Sequence, residues 1–251
     1  MQASKKLLLI IIFSFLLIKL SAQGQEQGIT DHDTLIPIKF NQNVEFDIGI
    51  NTMQGYEPGP VSFMGNYNIF GNRFSASAGI KLLTGDTQFT LIGSYKFFKH
   101  PKISLGTGII YNFDWLHDFS ISNNFLPELY LNWKPCRFYS LNFNAAFFLK
   151  LRNVFALHDD LSYLINTTMA FSLHNDFYLP HDIQLYFEFA SIERFRYMIL
   201  CAPSFIFGAK YSVTEKLDLS LEAAIRYIDF FTLSAHYEDT SINVGVKYQW
   251  Q

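Results

Sequence analysis

The chain has 251 residues, of which 49% are hydrophobic, 18% aromatic and only 16% charged. That length supports a sizeable core without disulfide help, and the aromatic content excludes an intrinsically disordered chain. A formal net charge of −3 leaves no basic surplus for nucleic-acid phosphates, and a mean hydropathy of +0.11 is too low for a bundle of membrane helices.

Residues 1–24 read as a secretory signal peptide. Lys5 and Lys6 supply the positive start, Leu7 to Ile18 the apolar run, and Ser21, Ala22 and Gly24 the small residues at which a signal peptidase cuts. The apolar run ends at Lys19, well short of the ~20 residues a spanning helix needs. No cysteine stands near the cut, which excludes a lipoprotein anchor there. Cleavage would remove three lysines and leave the mature chain near −6. Residues 25–42 then read as a polar periplasmic lead, in which Pro37 argues against a central strand.

From residue 43 the pattern changes to period-two alternation in segments of about ten residues separated by turn chemistry. Twelve strands are expected, at 43–51, 61–70, 73–83, 87–98, 102–113, 125–133, 138–152, 161–174, 182–190, 203–212, 217–227 and 241–250. In 73–83, Phe74, Ala76, Ala78, Ile80 and Leu82 oppose Arg73, Ser75, Ser77, Gly79 and Lys81. In 138–152, Leu141, Phe143, Ala145, Phe147, Leu149 and Leu151 oppose Ser140, Asn142, Asn144, Lys150 and Arg152. The more apolar face carries no Asp, Glu, Lys, Arg or His in any of the twelve. A charge on a lipid-facing strand costs ~2–4 kcal/mol at the bilayer midplane, which gives that exclusion a physical cause.

Alternation alone leaves a soluble β-sandwich or a lipocalin-like barrel open. Three features favour the inside-out arrangement. Twelve strands enclose more space than side chains fill. Connections alternate between short (Gly71-Asn72, Lys99 to Pro101, Lys134 to Arg137, Val213 to Lys216) and longer (114–124, 191–202, 228–240), with 84–86 a short exception and 175–181 a longer one. Aromatic residues gather near strand ends, where Phe97, Trp115, Trp133, Tyr211, Tyr227, Tyr248 and Trp250 would form two interfacial girdles.

Residues 241–250 alternate and end in an aromatic, which resembles the C-terminal strand read by the outer-membrane assembly machinery, although Gln251 follows. With the signal peptide, the chain is similar to Gram-negative outer-membrane β-barrel proteins of porin-like type over residues 43–250. The resemblance implies an all-β, antiparallel up-and-down transmembrane barrel of about twelve strands, both termini in the periplasm. It also implies contact with outer-membrane lipid and lipopolysaccharide, recognition of 241–250 by the assembly machinery, and no cofactor. The expected role is passive passage of small polar solutes, or a structural surface barrel if the lumen is closed.

The polar faces carry Glu45, Asp47, Arg73, Lys81, Lys96, Glu128, Lys134, Lys150, Arg152, Glu188, Lys210, Asp218, Glu222, Arg226 and Lys247, the expected lumen lining. They would form either a basic ring selecting anions or a salt-bridge network, and the interleaved acids favour the network. Leu116-His117-Asp118 and Leu157-His158-Asp159 carry metal-ligand chemistry on outer loops, but adjacent residues chelate one ion poorly and loop polarity explains them. Ser234, His236 and Glu238 stand at i, i+2 and i+4 in the last outer loop, the composition of a hydrolase triad and equally of any polar loop. Ser172 and His174 share a face toward the other end. Cys136 and Cys201 fall at opposite ends, too far apart to pair across an apolar band ~25 Å tall.

Overall fold

The computed structural model describes residues 40–53, 61–83, 86–115, 121–154, 162–193, 196–197, 202–227 and 237–250. Nine strands come first: β1 (Asn41–Met53), β2 (Val61–Phe70), β3 (Phe74–Leu82), β4 (Thr87–Lys99), β5 (Ile103–Trp115), β6 (Ile121–Cys136), β7 (Tyr139–Val154), β8 (Ser162–Leu179) and β9 (Ile183–Ala190). A two-residue pair follows, β10 (Ile192–Glu193) and β11 (Arg196–Tyr197). Three more strands complete the chain: β12 (Ser204–Thr214), β13 (Leu217–Tyr227) and β14 (Tyr237–Trp250).

Twelve of these close one barrel. β1 to β9 pair in sequence order, β9 pairs with β12, and β14 returns to β1, with Glu45 opposite Lys247 and Ile48 opposite Val244. Every pairing is antiparallel. Closure gives each of the twelve strands a partner on both sides, the requirement for strands in hydrocarbon, and only ends that outrun a neighbour, as β8 does before Ser172, lack one. A tilted strand spans a bilayer with about 9–11 residues. β6, β7 and β8, at 16, 16 and 18 residues, therefore extend beyond that band.

The alternation settles which way the faces point. Leu129 is 63% exposed on the outer surface, whereas its neighbours Glu128 and Tyr130 are 8% and 9% exposed. Phe46, Ile48, Phe147, Met169, Leu221 and Val244 also stand outward and exposed, while Ser62, Thr90, Asn112, Asn124 and Ser204 are fully buried. This inverts the order of a soluble barrel and excludes the sandwich and lipocalin-like alternatives. Two girdle candidates meet through their rings: Trp250 stacks on Tyr248 at 6.0 Å, and it also stacks on Tyr67 at 6.1 Å and donates from Nε1 to Gln42 Oε1 at 3.0 Å. Phe97, Trp115, Trp133, Tyr211 and Tyr248 are exposed outward, and Tyr227 packs edge-on against Phe205 at 5.5 Å.

Several boundaries differ from the sequence reading. The 175–181 connection is mostly strand: β8 continues to Leu179 and the turn is only Pro180 to Asp182. His181 and Asp182 both take positive φ, 64° and 58°, so the turn uses left-handed residues without glycine. With that correction all five connections at this end are two or three residues long. β6 starts at Ile121 rather than 125, because Ser122 and Asn124 face inward, where Ser122 Oγ donates to Asn124 Oδ1 and Asn124 Nδ2 to Asp114 Oδ2 at 2.8 Å. β1 takes in Asn41 and Gln42, expected to end the lead, and residues 1–39 lie outside the described residues.

A lumen crossed by a polar network and an inturned hairpin

The barrel encloses a cavity of about 420 Å³. Six carboxylate side chains line it (Glu45, Asp47, Glu128, Glu188, Glu193 and Glu222) with three cationic ones (Lys81, Lys210 and Arg226) and His174. Alternation delivers them, since each occupies the inward phase of its strand or, for Glu193, the inturned hairpin.

His174 organises one wall. Its Nδ1 and Nε2 each lie 2.9 Å from a carboxylate oxygen, Glu188 Oε2 on β9 and Asp176 Oδ1 two residues along β8. The β8–β9 register places His174 directly opposite Glu188. Ser172 donates to the other Glu188 oxygen at 2.6 Å, while Gln184 and Ser140 donate to Asp176 at 2.6 and 3.0 Å. Tyr186 stacks on the imidazole at 5.2 Å and donates to Glu222 Oε2 at 2.8 Å, and Asn243 donates to Glu222 Oε1 at 3.0 Å. The chain of contacts thus runs from β7 to β14. Tyr186 lies flat across Gly208, where a Cβ would come within 2.0 Å of its ring, so β12 needs glycine there. Both nitrogens of His174 are occupied by carboxylates and Ser172 donates to Glu188, so no ring nitrogen faces that hydroxyl as a general base requires.

The second feature enters from the opposite end. After β9 the chain turns inward, with Ser191 bound to the backbone of Phe171. Ile192, 5% exposed, packs into an apolar patch of Ile110, Leu126, Ala146, Phe148 and Ala170. The patch is a ridge set by register: Ile92 pairs with Ile110 and Ile110 with Leu126 on adjacent strands, and Phe148 follows on β7. Glu193 reaches another wall. Arg226 on β13 donates to it from Nε at 3.0 Å and Nη2 at 2.6 Å, and Ser204 donates to the same carboxylate. The hairpin is therefore held by an apolar contact on one side and a two-pronged ion pair on another.

Of the expected lumen residues, Glu45, Asp47, Lys81, Glu128, Glu188, Lys210, Glu222 and Arg226 line the cavity. Lys247 lies 3.9 Å from Asp218 near the short-turn end, and Lys96 and Lys150 are half-buried in the inward phase. Two placements differ from expectation. Arg73 is exposed in the turn before β3, because the strand starts one residue later. Lys134 is exposed beyond a register shift in β6, its ammonium 4.8 Å from the centre of the Tyr178 ring. Cys136 is free and exposed. The side chains of Arg152 and Glu238, and all of His117, Asp118, His158, Asp159, Cys201, Ser234 and His236, lie outside the described residues.

Glu193, Ile192 and Tyr186 escaped the sequence reading. One signal was available: Ile92, Ile110, Leu126 and Phe148 are large apolar residues on polar faces, a break in the rule that marks something docked inside.

No family model matches the chain, and no curated protein does. Its likeness is to solved structures. The KdgM porin superposes with a TM-score of 0.57 at 13% identity, covering 83% of this chain and 99% of that one. The NanC porin superposes with a TM-score of 0.60 at 10% identity, covering 82% and 100%. The KdgM porin has also been solved with disordered oligogalacturonate, at a TM-score of 0.57, 14% identity and the same coverage. The fold of this chain is therefore that of the porin-like outer-membrane barrels.

Proposed function

We propose that the protein is an outer-membrane channel through which small polar solutes diffuse passively. The observation that carries this reading is a closed barrel whose interior is polar and charged, with six carboxylates and three cationic side chains around its cavity. Inside a closed barrel, both side-chain amide atoms of Asn66, Nδ2 of Asn112, Oδ1 of Asp114 and Oε2 of Glu128 are buried without a hydrogen-bond partner. Buried polar groups are almost always hydrogen-bonded, to ordered water where protein supplies nothing. A hydrated, charged interior suits polar solutes rather than hydrocarbons, and the inturned hairpin makes the passage narrow.

In this reading the outer face meets lipid and lipopolysaccharide, the short turns face the periplasm, and Ser241 to Trp250 is the strand offered to the assembly machinery. Exposed Cys136 then reacts with a membrane-impermeant maleimide in cells carrying Cys201→Ala only after the outer membrane is permeabilised. Labelling in intact cells would reverse the orientation. The channel itself is tested by adding purified, refolded protein to a planar bilayer. Discrete conductance steps are expected, and a silent bilayer at high protein load sinks the proposal.

A further inference from the structure

The structure assigns a cation preference to this lumen: small cationic solutes and metal cations enter it more readily than anions. The inference rests on the channel reading above and names the solute class that the channel takes.

The charge balance is local. Among the described inward side chains outside the cavity, Asp86, Asp114, Asp176 and Asp218 stand against Lys96, Lys150 and Lys247, so acids lead there by one. The larger surplus falls within the cavity, whose six carboxylates face three cationic side chains and His174. Of those three, Arg226 is committed to Glu193, and Lys210 sits over the Tyr186 ring at 5.2 Å. A lumen with low-dielectric walls and one sign in excess focuses its potential along the passage, and rings of Asp and Glu are how cation channels discriminate.

Glu128 adds a second observation on the same wall. It lines the cavity at 8% exposure, and its Oε2 has neither a hydrogen-bond donor nor exposure to solvent. It lies across Gly108, where a Cβ would stand 2.7 Å from Oε1, so β5 leaves room for the carboxylate against the wall. A lumen carboxylate without a protein donor is satisfied by water or by a cation, and its fixed negative charge favours the cation. Glu222 accepts only from the neutral donors Tyr186 and Asn243 among its hydrogen bonds above, so Glu128 and Glu222 are the specificity-determining residues. The acidic oligosaccharide with which the KdgM porin was solved is the opposite solute class, disfavoured by a cavity of this sign.

The test is the reversal potential in a planar bilayer under a tenfold potassium chloride gradient. Potassium is expected to permeate several-fold more readily than chloride, and Glu128→Gln with Glu222→Gln to bring the two near parity while conductance persists. The glutamines keep side-chain size, and at 222 an oxygen still accepts from Tyr186, so folding is retained. A cation preference unchanged in the double variant would remove these two residues from the role. Conductance with no preference, or a preference for chloride, overturns the selectivity and leaves the channel standing. Absence of conductance overturns both.

Discussion

Replacing Arg226 with alanine is expected to raise single-channel conductance and make it noisy. The guanidinium is the polar anchor of the hairpin, binding Glu193 at 2.6 and 3.0 Å and donating to Ser241 at 3.3 Å. Removing one partner of a buried pair leaves the other charge uncompensated, at a cost of ~3–5 kcal/mol. Part of that cost vanishes if Glu193 swings out into water, which is the movement that opens the passage. Glu193→Ala should mimic the opening, and the double variant should cost far less than the two single ones added, because both remove the same contact. Ile192→Asp attacks the other anchor by placing a charge against Ile110, Leu126 and Phe148. If conductance is unchanged in all three single variants, the hairpin does not restrict the lumen.

A second large effect is expected on the outer surface. Leu129 stands in the middle of β6, outward and 63% exposed, so Leu129→Arg puts a guanidinium near the bilayer midplane at ~2–4 kcal/mol. Asn144→Arg places the same group on β7 facing the cavity, where water and carboxylates receive it. The fraction that keeps the fast-migrating folded form on an unheated denaturing gel should fall steeply with urea in Leu129→Arg and little in Asn144→Arg. Equal effects would mean that the two faces see the same medium.

These expectations show what the sequence carries. The strand faces were legible because the side-chain period of a strand is fixed, and lipid tolerates no charge on one face: Leu141 to Leu151 and Ile242 to Trp250 display it without ambiguity. The strand ends were less legible. Polar residues such as Ser122 and Asn124 look like loop until a lumen exists to receive them, and Pro180 looks like an early break until His181 and Asp182 supply the left-handed turn. The network around His174 was hidden for a different reason. Its partner Glu188 is 14 residues away and meets it only through the β8–β9 register. The hairpin was least legible of all, since β10 and β11 have two residues each and show no period.

The central claim is that one face of every strand meets lipid and the other meets water inside a closed barrel. It is tested most directly by spin labels placed one at a time along β13, from Leu219 to Ile225, in a cysteine-free background reconstituted in vesicles. Leu219, Leu221, Ala223 and Ile225 should be relaxed by lipid-soluble oxygen. Ser220, Glu222 and Ala224 should be shielded from it, and those open to the lumen should respond to a water-soluble nickel chelate. The reverse phase, or no alternation, would contradict the inside-out barrel and everything built on it.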